Sequence, residues 1–129
     1  MQIYYFTRTG RSKAIAEQLA ARYNTTARKI DDFRKWDGKL NYLKAGAMAM
    51  SGKSILAGYI EPDYDDDIVV VFPLWAGTMP PGVRMFVESV GKENITAVIT
   101  SLGSTMKKRD GFKKIIDLVG DDISAPETL

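Results

Sequence analysis

Thr7, Arg8, Thr9, Gly10, Arg11 and Ser12 place three hydroxyls and two guanidinium groups around one glycine. Gly10 permits a backbone conformation closed to other residues. A helix starting here would offer unpaired amides and the positive end of its dipole to an anion. The dipole alone contributes ~0.3–1 kcal/mol at an exposed site, and charge-assisted hydrogen bonds add more. A phosphate suits this arrangement. The plainer reading is a polar turn with Ser12 as helix cap. The stretch lacks both the Gly-Lys-Ser/Thr ending of a nucleoside-triphosphate loop and the GxGxxG fingerprint, which argues against nucleotide hydrolysis and dinucleotide binding.

The chain contains no cysteine and no histidine. That removes thiolate chemistry, the commonest metal ligand and any Ser-His triad. It also excludes a small tyrosine phosphatase, which needs a cysteine. A receiver-type phosphoacceptor needs acidic residues at strand ends, and Tyr4–Thr9 and Ile68–Leu74 contain none. Carboxylates, hydroxyls, lysines, backbone amides or a borrowed cofactor must therefore supply the chemistry. Asp63, Asp65, Asp66 and Asp67 precede an apolar run, so a solvated turn is expected there rather than a cation site.

Two further segments carry useful groups. Phe72-Pro73-Leu74-Trp75-Ala76-Gly77-Thr78-Met79-Pro80-Pro81 presents a tryptophan between prolines and a glycine. Trp75 offers either a flat apolar face to a flat ring, worth ~0.5–1.5 kcal/mol beyond area burial, or, with Met79, a cap on the core. Thr100-Ser101-Leu102-Gly103-Ser104-Thr105 is rich in hydroxyls and backbone. Lys107, Lys108, Arg109, Lys113 and Lys114 follow. They read as a solvated face or, more sharply, as a docking patch for an acidic redox partner.

The elements that must position these groups alternate. Ile3–Phe6 reads as a strand, and Ile15, Leu19 and Tyr23 recur at helical spacing from Ser12 onward. Thr25–Ile30 is a weaker strand. Gly38 to about Gly52 reads as a helix with Leu40, Leu43, Ala47 and Met50 on one face. Ile68–Phe72 is apolar without alternation, as in a parallel strand covered on both faces. Pro81 suits a first helical position, and Val83, Phe86, Val87 and Val90 continue a helical stripe. Ile95–Thr100 is a fourth strand. Phe112, Ile115, Ile116 and Val119 predict another helix, and Ile123–Ala125 a short fifth strand that Pro126 would confine to an edge. This alternation predicts an α/β fold, a doubly wound five-stranded parallel sheet with helices on both faces. Ligands of such sheets sit at the carboxyl ends of the strands, where residues 7–12, 73–80 and 101–109 fall.

The first loop resembles the phosphate loop of flavodoxins, Ser/Thr-x-Thr-Gly-x-Thr. The second resembles the segment Pro-x-Trp-x-Gly-x-Met-Pro-Pro-x-Val-Arg-x-Phe of short flavodoxin-family proteins, through Gly82-Val83-Arg84-Met85-Phe86. The small-residue stretch Lys44–Lys53 is also similar to one in that family. The resemblance covers nearly the whole chain and is strongest in residues 1–23 and 66–90. It implies a single flavodoxin-like domain over residues 1–129, strand order 2-1-3-4-5 and bound FMN. Thr7, Arg8, Thr9, Gly10, Arg11 and Ser12 would hold the phosphate. Pro73, Leu74, Trp75, Ala76 and Gly77, with Leu102, Gly103, Ser104 and Thr105, would hold the ring. Gly77 would let a nearby peptide turn over on reduction. The implied function is electron transfer with a redox partner protein. An FMN-dependent NAD(P)H quinone or flavin-type reductase and a non-redox interaction module are the alternatives.

The sequence departs from the family pattern in three ways. Flavodoxins usually carry a helix after the fifth strand, so a patch of sheet is expected to lack a cover here, with a homodimer or another chain closing it. Flavodoxins are commonly acidic, whereas eighteen Lys and Arg against sixteen Asp and Glu leave this chain at +2, too little to indicate nucleic acid. Arg11 stands where the family often has a small polar residue. No apolar stretch approaches the ~20 residues of a membrane span, and the N-terminus lacks the pattern of a signal peptide. A cytoplasmic location is the expectation.

Overall fold

The computed structural model describes residues 1–32 and 58–129. The expected helix over Gly38–Gly52 and the small-residue stretch Lys44–Lys53 lie outside these residues. Five parallel strands form one sheet: β1 (Gln2–Tyr5), β2 (Ala27–Lys29), β3 (Ile68–Pro73), β4 (Ile95–Ser101) and β5 (Lys114–Val119). Their spatial order is β2-β1-β3-β4-β5, the flavodoxin-like order 2-1-3-4-5. In register, Tyr4 lies beside Val70, Val70 beside Ala97, and Val98 beside Ile116.

Side-chain alternation along each strand feeds two cores. Ile3, Tyr5, Val69, Val71 and Val98 point to one face and meet Ile15, Ala16, Leu19 and Ala20 of α1 (Arg11–Arg22). Tyr4, Phe6, Val70, Phe72, Ala97 and Ile99 point to the other and meet Val83, Phe86, Val87 and Val90 of α2 (Pro81–Val90). Helices therefore cover both faces. This explains why β3 is apolar without a break: all five residues from Ile68 to Phe72 are buried, alternately against α1 and α2. Pro81 occupies the first turn of α2 and Gly91 ends it at φ 96°, the expected proline-first, glycine-last asymmetry.

The C-terminal third corrects the sequence reading. Residues 112–119 do not form a helix. Lys114–Val119 is the fifth strand, paired residue for residue with Thr96–Ser101. The pattern Phe112, Ile115, Ile116, Val119 fits a helical face, but Ile115 and Ile116 turn to opposite cores of the sheet. A β-branched run bracketed by Gly111 and Gly120, both at positive φ, is better placed in a strand. Residues 102–113 consequently cross from β4 to β5 without a helix, burying Met106 and packing Phe112 on the α2 face.

Ile123–Ala125 is correspondingly not a strand. It belongs to a tail that lies along α1. Ile123, Ala125 and Leu129 pack into the α1-side core. The Ala125 amide donates to Gln18 Oε1 at 2.8 Å, and the Arg22 guanidinium donates to the Pro126 carbonyl. The sheet face expected to be bare is thus partly covered by the chain itself, since an extended segment with alternate apolar residues can serve in place of a helix. At the amino ends of the strands, Asp66 pairs with the N-terminal ammonium at 2.7 Å and Asp67 with Lys113 at 3.1 Å.

Candidate functional site

Residues 7–12 leave the carboxyl end of β1 and enter α1. The Thr7 hydroxyl accepts the Gly10 amide at 2.8 Å, folding the loop back on itself. Gly10 is the N-cap residue, at φ 98°, and no side chain caps the helix. No acidic residue stands in the first turn either. The expected cap, Ser12, is instead the second residue of the helix and is 1% exposed. Its hydroxyl lies 2.9 Å from that of Thr100, at the end of β4. The first-turn amides of α1 therefore meet no protein acceptor from a capping side chain, and by the geometry of a helix start they point outward.

Arg11 does not reach over the loop. Its guanidinium donates to the carbonyl of Gly120, where β5 ends. Thr9 is exposed, and Thr7, Arg8 and Gly10 are half-buried. The hydroxyls of Thr7 and Thr9 and the first-turn amides are the groups this loop turns to its surroundings.

The second loop is a tight turn. The Thr78 amide donates to the Trp75 carbonyl at 3.1 Å, and the Trp75 amide to the Thr78 carbonyl at 2.9 Å. Ala76 at φ 51° and Gly77 at φ 76° form its corner, both positive, as a type I′ turn requires. Glycine takes such a φ freely, whereas alanine pays about 1–2 kcal/mol for it. Trp75 is seated in the core. The indole is 5% exposed and meets Phe6 edge to face, with centroids 5.3 Å apart and planes at 72°. Met79 joins the same core. The backbone of Ala76 and Gly77 is what the turn presents.

The third loop binds the other two together. Leu74 donates to the Thr100 carbonyl at 3.2 Å, and the Lys107 amide to the Gly77 carbonyl at 3.2 Å. The Ser101 hydroxyl donates to the Ser104 carbonyl at 3.1 Å, while the Gly120 amide donates to Ser101 O at 2.9 Å. Leu102 stands 69% exposed and Gly103, Ser104 and Thr105 are exposed beside it. Residues 7–12, 73–77 and 102–105 thus meet at the carboxyl ends of three adjacent strands, β1, β3 and β4.

Three residues take structural roles that the sequence did not reveal. Thr100 anchors Ser12, Phe6 seats Trp75, and Lys107 ties the crossover to the turn. Only Thr100 leaves a local trace, as a buried hydroxyl next to the end of β4. Among the described residues no group of three or more acidic side chains is placed to hold a metal ion, and no helix is long and apolar enough to cross a membrane.

No family model matches the sequence, and no curated protein matches it either. Solved structures do match in fold. A flavoprotein from Lactobacillus acidophilus, crystallised in complex with FMN, superposes with a TM-score of 0.68 at 18% identity, covering 90% of this chain and 89% of that one. A protein from Bacteroides uniformis, provisionally assigned as a flavoprotein, reaches 0.73 at 21% identity over 94% and 90%. One from Bacteroides eggerthii, assigned likewise, reaches 0.65 at 18% identity over 80% and 71%. At these identities the likeness is one of fold.

Proposed function

We propose that this chain binds FMN at the meeting point of the three loops and passes electrons to and from a partner protein. The observation that carries the reading is the uncapped start of α1, placed at the carboxyl end of β1 with no acidic residue in its first turn. A phosphate supplies the acceptors that the chain withholds there. The hydroxyls of Thr7 and Thr9, with the amides of residues 8, 9, 11 and 12, would take the phosphate, the Gly10 amide being held by Thr7. Ser12 contributes its amide, its hydroxyl being held to Thr100. Arg8 and Arg11 add positive charge, Arg11 from its place on Gly120.

The backbone of Ala76 and Gly77 and of residues 102–105 would hold the polar edge of the ring, with Pro73 and Leu74 beside it and Trp75 as its buried floor. Bound flavin would supply the one- and two-electron chemistry, while the protein supplies orientation and electrostatics. With neither histidine nor cysteine in the chain, the side chains have no covalent role in this reading. The FMN-bearing structure of the same fold supports it.

The test is a titration of flavin-free protein with FMN, followed by flavin fluorescence. Quenching with sub-micromolar affinity is expected. No quenching, and no binding tighter than millimolar, overturns the reading. If the holoprotein oxidises NAD(P)H without a partner, the activity is that of a reductase rather than a carrier.

A further inference from the structure

A cleft of about 690 Å³ runs beside α2, on the side where residues 102–113 cross from β4 to β5. It lies within the ~300–1,000 Å³ range of small-ligand sites. It exists because that crossover holds no helix: a dozen residues joining parallel strands would usually form one and pack beside its neighbour. Met79, Val87 and Met106 supply apolar lining, each buried in the α2-side core.

The charges around the cleft are unevenly placed. At the end nearest the Trp75–Thr78 turn stand Lys107, whose amide bonds Gly77, and Lys108. Neither forms an ion pair among the described residues. Arg84 adds a third positive charge there while bonding Thr78 Oγ1 at 2.7 Å. At the other end stand Glu93, against Gly91, and the carboxyl terminus of α2, whose dipole repels anions. Lys92 at that end is occupied by the Asp110 carbonyl at 3.1 Å and lies over the Phe112 ring. Glu88 lies on the helix between the two ends.

From this geometry we infer a second ligand site, which borders the three-loop site through residues 78–79 and 106–108 but extends away from it along α2. It takes a small organic anion with a flat or branched apolar body. The body lies along the aliphatic stems of the basic side chains that rim the cleft, over a floor of Met79, Val87 and Met106, and the carboxylate or phosphate head meets Lys107 and Lys108. The inference does not rest on FMN binding, because none of these groups belongs to the phosphate loop.

The experiment titrates the protein at low salt, with and without saturating FMN, using 2-naphthoate, 2-naphthyl phosphate and the neutral 2-naphthalenemethanol, and reads backbone amide shifts. Both anions are expected to shift residues 87–91 and 106–111, and the tighter of the two identifies the head group. The neutral analogue should bind at least fivefold more weakly. The double variant Lys107→Ala/Lys108→Ala should weaken the anions at least fivefold with an unchanged circular dichroism spectrum. Shifts confined to residues 7–12, equal binding of the neutral analogue, or unchanged affinity in the double variant would each overturn the inference. So would shifts from inorganic phosphate, titrated in parallel as a control, with none from naphthoate, which would mean attraction of a counter-ion only.

Discussion

At the scale of residues, the site is held by hydroxyl and amide pairs between distant parts of the chain. Ser12 and Thr100 satisfy each other in a buried position. Ser12→Ala should leave the Thr100 hydroxyl without its partner and cost about 1–3 kcal/mol. Thr100→Val should cost a comparable amount. The double variant should cost less than the sum, with a coupling of about 1 kcal/mol measurable by urea denaturation. Additive effects would show that the two hydroxyls act separately. This pairing was invisible in the sequence because nothing local to Ser12 points 88 residues onward. Trp75 was ambiguous for a different reason: a tryptophan after a strand looks the same whether its face is open or seated on Phe6. The turn over residues 7–12 was legible as a strand-to-helix loop because Thr7, Gly10 and the helix start are all local to it.

At the scale of elements, composition was a reliable guide wherever burial was complete. β3 carries a continuous apolar run, β1 and β4 are buried along nearly their whole length, and α1 and α2 carry clear stripes. It failed at β5, whose exposure varies along its length and whose hydrophobic spacing satisfies both periods. Pairing with β4, which sends Ile115 and Ile116 to opposite cores, and not the spacing, goes with the strand. The tail beyond β5 depends on α1 for its position. Gln18→Ala should remove the acceptor for the Ala125 amide and cost about 0.5–1.5 kcal/mol. Hydrogen exchange at Ala125 and its neighbours should quicken while exchange in β3 and β4 falls no further than the global loss of stability. Uniform acceleration across the sheet would mean that the tail and the sheet open as one unit.

At the scale of the molecule, a cofactor seated on three loops stabilises every element those loops join. At an FMN concentration one hundred times the dissociation constant, mass action contributes about 2.7 kcal/mol. For a chain of this length that corresponds to a rise in melting temperature of roughly 8–12 °C. Differential scanning fluorimetry with and without FMN, and with riboflavin as the analogue lacking phosphate, measures it. Riboflavin should give a much smaller rise if the start of α1 is where the phosphate binds. An equal rise from both would relocate the binding energy to the ring.

The Ser12–Thr100 pair, and the hold of Arg11 on Gly120, join residues 88 and 109 apart. The consequence concerns time rather than energy. On the ribosome residues 7–12 emerge well before the wall against which they are set, which comes with the fourth strand. Until then the early segment is an open turn with nothing behind it. Capture of FMN by this loop, as proposed, would therefore follow the synthesis of β4, and a chain interrupted before Thr100 would hold the motif without the wall behind it.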